Sequence, residues 1–474
     1  MQSQDSRTRI SNVRNNLRNA KDVITRLMSL GNSPGLSVAL LCDGELVLSE
    51  GYGCADIANR KPATPETIYP IASITKPFAA IACGLLVSDK NLSWGEMATL
   101  VDALSHRTGL ADQVCFHLGP NGQPMFDNRE GLISVVNAMP CGDDDFRKLW
   151  RYNPLLYTLI GLVIEKSSSQ SLEQFLLTRI FEPLDMRSTS FIQSTPSHAT
   201  HCAGEAHVAR PYAATRNGEF ILRDVTPTAY EFPFNAPMGI QSTVVDMVQF
   251  ARAIIDGYQS QRGGNPRVLP IPHVGANERK KKILFHSGTG NGFVSSLHIY
   301  PETADAVVVL ANSSFSGNAA NSVAVFLTCL LNDFSIDIQA LEGNTKACSD
   351  YETDRWSVVE RRLKKERATQ RSGDAPRADD IAGVYKDEVT GLVLRIEKQD
   401  SAVSAYANMP AVQYLGVSIK FGVVTDVGLP LWMWCENTLC FLPGERDYQL
   451  LGMGYLNHWC QFYFIFILIR EAGR

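Results

Sequence analysis

Several things are missing from this 474-residue chain, and each absence excludes something. No charge sign dominates: 44 Lys and Arg stand against 49 Asp and Glu, a net of -5, so nothing draws the protein toward nucleic acid or an anionic membrane. The one basic run, Lys280 to Lys282, lies in a polar stretch and reads as a solvated loop. The 11 cysteines form no C-x-x-C pair and no cysteine–histidine group at zinc spacing, which fits free thiols and removes a structural metal. No apolar run approaches the roughly 18–20 residues that a spanning helix needs, and FYFIFILI at 462–469 reads as a buried last strand. The first 31 residues carry charge throughout and no apolar leader core, so a cytoplasmic protein is the expectation. Repeats of 20–50 residues are also lacking.

What is present is an ordinary globular composition, 45% apolar and 20% charged, long enough for one large domain and a smaller one. Apolar residues Ile10, Val13, Leu17, Val23, Ile24 and Leu27 predict one amphipathic helix over 8–30. The period then changes. LSVALLC, the turn Asp43-Gly44 and ELVLSEG predict a hairpin, because Asp-Gly suits the positive φ that matches strand twist. A second strand pair, 292–300 with 306–312, is followed by a helical stretch near 317–332. Helical patterns at 157–168, 172–184 and 244–256 lie between the two pairs. Early and late strands with helices between them predict an α+β fold, one antiparallel sheet with a large, mostly helical insertion. Past residue 345 the texture turns polar and basic, then becomes short apolar runs parted by turn residues. The expected division is a catalytic domain over 1–345, a helical linker over 346–379 and a small β-barrel over 380–474.

The stretch IYPIASITKPFAA holds a serine three residues before a lysine. On a helix that spacing brings Lys76 beneath Ser73, and Pro77 belongs in a first turn, where its missing N–H costs nothing. A serine at the positive end of a helix beside an amine is a candidate nucleophile. A capping serine with a surface lysine explains the same four residues. A rival, Ser33 in Gly31-Asn32-Ser33-Pro34-Gly35, matches G-x-S-x-G, but a helix precedes it and a strand follows, the reverse of a nucleophile elbow.

From PGLSVALLCDGELVLSEG through IASITKPFAA the chain resembles the serine β-lactamase and penicillin-binding-protein-like superfamily, in its class C β-lactamase, carboxypeptidase and esterase branch. LSHRTGL at 104–110, IFEPLDMRSTSF at 180–191 and MGIQSTVVDMVQF at 238–250 resemble further family segments in the same order. The likeness runs over about 34–315, and the tail resembles the lipocalin-like domain appended to many members. It implies Ser73 as nucleophile with Lys76 and Tyr152 as its base and proton relay. His286-Ser287-Gly288 stands at the third motif, and the N–H groups of Ser73 and Thr289 are the implied oxyanion hole. Pro154 replaces the asparagine of the family's Y-x-N, which leaves Asn153 as the candidate for that substrate contact. This points away from β-lactam hydrolysis and keeps acyl-enzyme chemistry. The implied activity is hydrolysis of a small-molecule ester, amide or lactone without metal or organic cofactor. Acyl transfer at the same site, or a catalytically silent binding protein, are the alternatives.

Overall fold

The computed structural model describes residues 4–90, 99–110, 129–138, 145–192, 207–214, 219–222, 234–262, 282–290, 292–313, 318–351 and the C-terminal strands between 383 and 469. The contacts group the chain into two compact units. One comprises Met1–Trp94, Ile160–Asp224 and Asn235–Trp356, the other Gly95–Leu159, Val225–Phe234 and Ser357–Arg474.

The first unit is built on a six-stranded antiparallel sheet. Its spatial order is Lys61–Pro62, Glu45–Asp56, Gly35–Cys42, Asp305–Ala311, Phe293–Tyr300 and Leu284–Gly290. Asp43 and Gly44 both take positive φ, 49° and 76°, as the predicted hairpin turn requires. The early hairpin joins the late strands through Gly35–Cys42 against Asp305–Ala311, with Leu36 opposite Ala311 and Leu41 opposite Ala306. Both of these strands are buried along their whole length, which explains their continuous apolar runs. Leu36, Val38, Leu40, Val307 and Val309 pack on one face with Ile24, Leu27, Val323 and Leu327. The opposite face carries Ala39, Leu41, Val308 and Leu310, also buried, with the helix Val244–Arg262 packed on these strands.

The single amino-terminal helix expected over 8–30 is two helices, Gln4–Leu17 and Ala20–Leu30. The break is a turn in which Arg18 N–H donates to Asn15 O, and Asn19 then stands at the next helix's N-cap. Arg9 on the first helix donates to both oxygens of the buried Asp305 and to Asp43, tying that helix to two strand turns. The pattern at 172–184 forms the short helix Leu172–Leu176 and a widened π turn over Leu177–Phe181.

The C-terminal strands form a seven-stranded antiparallel sheet in the order Ile419–Lys420, Ala402–Asn408, Val393–Gln399, Gly383–Lys386, Phe462–Ile469, Tyr448–Gly454 and Thr438–Pro443. The last apolar run is thus a strand with neighbours on both sides. Among the described residues the two end strands do not pair, so the expected barrel is seen here as a sheet. Much of 112–149 and of 258–282 lies outside the described residues. No described helix is long and apolar enough to cross a membrane.

Candidate active site

Ser73 lies in a single 3-10 turn, Ala72–Ile74, that runs into the helix Thr75–Ser88. Pro77 falls in the first turn of that helix, as its ring geometry demands. Ile74 is the N-cap and makes no side-chain capping bond, so the reading of Ser73 as a cap falls away. Ala72 holds φ at +47°, a left-handed conformation that costs an alanine on the order of 1 kcal/mol or more. Its neighbours hold it there. Ile71 N–H donates to Ile240 O at 2.9 Å, Ile71 O accepts from Ser295 Oγ at 2.9 Å, and Ile240 N–H donates to Thr75 Oγ1 at 3.2 Å. Tyr69 and Pro70 also pair with Ser242 and Gln241.

Lys76 is almost wholly buried, at 1% exposure. Its Nζ stands 3.0 Å from Ser73 Oγ and 3.0 Å from the carbonyl oxygen of Pro237. A buried amine must be hydrogen-bonded, and here the bonds aim it at a half-buried serine hydroxyl. The Pro237 carbonyl belongs to the helix Asn235–Met238, just before the strand Ile240–Ser242.

The third motif lies on the edge strand Leu284–Gly290, in register with Phe293–Tyr300. Gly288 opposes Ser295, and a Cβ on it would stand 2.3 Å from Ile71 O and 3.2 Å from Ala72 Cβ. The missing side chain lets the strand press on the turn Ala72–Ile74 that carries Ser73. Ser287 is exposed, and His286 is half-buried with Nδ1 2.6 Å from Ser287 O. A carbonyl only accepts, so Nδ1 carries the proton and Nε2 is the acceptor nitrogen. Burial, then the nearby Lys76 charge, lowers the His286 pKa from 6.5 to about 4. The ring is therefore neutral through the physiological range.

A depressed histidine pKa means that below pH 6.5 the unfolded chain takes up a proton which the folded site refuses until about pH 4. The His286 contribution is complete above pH 6.5 and is lost as the pH falls toward 4. We expect its ring resonances to titrate near pH 4, with a shallower acid limb of stability in His286→Gln; a midpoint above 6 would refute this.

In the other unit, Tyr152 is half-buried and flanked by aromatic rings: His106 at 4.5 Å between centroids and Trp150 at 6.1 Å. Asn153 is fully buried, and its Oδ1 accepts from Leu155 N–H at 3.0 Å. That bond caps the helix Pro154–Ser168, with Pro154 as its first residue, where a fixed φ favours helix and no N–H is needed. The departure from Y-x-N thus has a local cause: asparagine caps and proline starts the helix. The Oδ1 of Asn153, the residue expected at the substrate, is bonded to the helix backbone. Tyr157 is buried with its hydroxyl donating to Leu104 O at 2.7 Å. Ser33 sits in the turn after Ala20–Leu30, 3% exposed, and donates to Gly35 O.

Sequence reasoning missed the Pro237 carbonyl and the Ser295 hydroxyl that brace this region, and it gave His106 no role. The LSHRTGL run was the available signal for His106. Among the described residues no group of three or more His, Cys, Asp or Glu could hold a metal ion.

The model of the Beta-lactamase family matches residues 20–329, well over half of the chain. The chain belongs to the Beta-lactamase family. Protein flp of Staphylococcus aureus (strain MW2) is 25% identical over 323 residues, 61% of this chain and 62% of its own length. Unguisins hydrolase ungD' of Aspergillus campestris (strain IBT 28561) is 23% identical over 352 residues, 64% of this chain and 63% of its own. The chain thus spans less than two thirds of the length of these curated relatives. Among solved structures, an octameric penicillin-binding protein homologue from Pyrococcus abyssi aligns with a TM-score of 0.53 at 18% identity. It covers 94% of this chain and 99% of that one. An identity so low establishes a shared fold and no more. In the Beta-lactamase family frame, the motifs at Ser73, Tyr152 and His286 all fall inside the matched span.

Proposed function

We propose that this Beta-lactamase family member is a serine hydrolase that works through an acyl-enzyme, with a small-molecule ester, amide or lactone as substrate. The observation that carries the reading is the buried Lys76 amine 3.0 Å from Ser73 Oγ. In the first step Ser73 Oγ loses its proton to Lys76, with Tyr152 in the relay role that the family resemblance implies, and bonds to the carbonyl carbon. The carbonyl π electrons move to oxygen, which the N–H groups of Ser73 and Thr289 stabilise. As the intermediate collapses, the bond to the leaving group breaks and Tyr152 returns the proton to it. In the second step water attacks the acyl carbon and gives a proton to the same base; the bond from that carbon to Ser73 Oγ then breaks, and the proton returns to Oγ as the acid leaves.

His286 supports a substrate without a carboxylate at the third-motif strand. A neutral imidazole offers no ion pair where a lysine would, and its acceptor nitrogen repels a carboxylate oxygen. The relative named Unguisins hydrolase agrees with a hydrolytic reaction. We also propose that the C-terminal strands close into a small lipocalin-like barrel. Their order is that of an up-and-down barrel lacking one pairing, between Ile419–Lys420 and Thr438–Pro443.

The test is intact-mass analysis after incubation with a fluorophosphonate, alongside turnover of a p-nitrophenyl ester panel. A single adduct on Ser73, absent in Ser73→Ala, with turnover lost in that variant, is expected. No adduct, and a Ser73→Ala variant equal to the parent, would mean a binding protein and sink the enzymatic reading. Alcohols, amines and thiols added as acceptors separate hydrolysis from transfer: product partition to water supports hydrolysis, and dominant transfer overturns it.

A further inference from the structure

We infer that His106 is a positioning residue for Tyr152, an inference that rests on the catalytic reading of Tyr152 above. His106 is 6% exposed and stands at φ +58°, in the left-handed region that a histidine adopts at a cost. That conformation points both ends of the residue at the segment carrying Tyr152. Its carbonyl oxygen accepts from Arg151 N–H at 3.0 Å, and its Nδ1 accepts from Asn153 N–H at 3.1 Å. The residues on either side of Tyr152 are therefore hydrogen-bonded to one histidine, and the ring packs 4.5 Å from the Tyr152 ring itself. Tyr157 lies behind the imidazole at 5.3 Å.

The histidine is itself anchored. Asp102, four residues before it, accepts from Arg147 Nε and Nη2, both at 2.8 Å, and closes a capping box with Thr99. The Arg147 hydrogen bonds hold that carboxyl well below the usual carboxylate range, so the anchor persists in mild acid. Arg107 N–H, next to His106, donates to Asp102 O at 2.8 Å. A chain of short contacts thus runs from the Asp102–Arg147 ion pair through His106 to the backbone N–H groups of Arg151 and Asn153, the residues on either side of Tyr152. A phenol that must take and return a proton works only where its oxygen is held to within about half an ångström, and this frame holds it.

The chemistry also sets which substitutions keep the function. Asparagine tolerates positive φ and brings a side-chain acceptor, whereas glycine tolerates the φ and brings none. His106→Gly should lower kcat about 30- to 100-fold with KM changed less than about threefold, and His106→Asn should recover a large part of that loss.

A double-mutant cycle with Tyr152→Phe separates positioning from mere structural support. If His106 acts through Tyr152, then His106→Gly costs less than about twofold once Tyr152 is phenylalanine, against about 30-fold or more in the parent. An equal loss in both backgrounds, or no loss in the parent, overturns the proposal. If His106→Gly does not fold, as judged by its melting transition, the cycle is run with His106→Asn, whose residual loss of about three- to tenfold in the parent should shrink below about twofold once Tyr152 is phenylalanine, an equal loss in both backgrounds again overturning the proposal. A Tyr152→Phe variant with parental kcat fails the catalytic reading of Tyr152 instead, an outcome distinct from a failure at His106.

Discussion

Replacing Lys76 with methionine is expected to lower kcat for ester turnover by about 10³-fold or more while leaving a folded protein. The two side chains have similar length and are unbranched, so methionine occupies the same buried space on the helix Thr75–Ser88. What disappears is the amine 3.0 Å from Ser73 Oγ. General-base assistance contributes roughly 10²- to 10⁴-fold, and without it the serine attacks as a neutral alcohol. Stability has two opposed terms. Losing the donor strands the Pro237 carbonyl, which costs about 1–3 kcal/mol, and removing a polar head from a 1%-exposed position recovers a similar amount. The melting temperature should therefore move by only a few degrees. Steady-state kinetics with thermal unfolding checks both halves; a Lys76→Met enzyme within tenfold of the parent would remove the lysine from the mechanism.

The distribution of what could be read from the sequence follows from which groups carry a side-chain signature. Ser73, Lys76 and Pro77 announce their geometry through residue type: spacing places the amine, and a ring without N–H places the helix start. The hairpin was legible for the same reason, since Asp43-Gly44 is chosen for its φ. The braces on the Ser73 turn are mostly backbone. Pro237 O, Ile240 O and Ile71 O are carbonyls that any sequence supplies, so their positions emerge only when the chain is folded.

Asn153 shows a different limit. An asparagine beside Tyr152 suits a substrate contact and a helix cap equally by composition, and only the 3.0 Å bond to Leu155 N–H shows that its Oδ1 caps the helix. Pro154 directly after it was the signal for the cap, because proline favours the first helical position. The broken amino-terminal helix is similar. Apolar period alone ran through Arg18 and Asn19, and the polar pair preferred a turn and a cap. His106 was quoted within a motif, yet its left-handed φ, its ring contact with Tyr152 and its bond to Asn153 N–H depend on residues more than 40 positions away.

Gly288→Ala should damage the site from the opposite side, lowering kcat/KM by about 10²-fold or more. A Cβ at this position would stand 2.3 Å from Ile71 O and 2.3 Å from Ser295 Oγ. The serine hydroxyl could rotate, but only by giving up its 2.9 Å bond to that same carbonyl. The carbonyl belongs to a turn already fixed by Ile240 and by the positive φ of Ala72, so the edge strand has to retreat. In the proposed mechanism that retreat would draw the Thr289 N–H away from the oxyanion, and losing one oxyanion donor costs about 10²- to 10³-fold. Overpacking of this kind also removes roughly 1–3 kcal/mol of stability. Gly343 is the control, because a methyl group there would meet nothing within 4 Å and its helical setting favours alanine. Gly343→Ala should keep full activity and melt no lower than the parent. Fluorophosphonate titration gives the competent fraction, so that kcat/KM per competent site can be compared among all three. Parental kcat/KM in Gly288→Ala would mean that the strand does not set the oxyanion geometry, and Thr289 would lose its place in the mechanism.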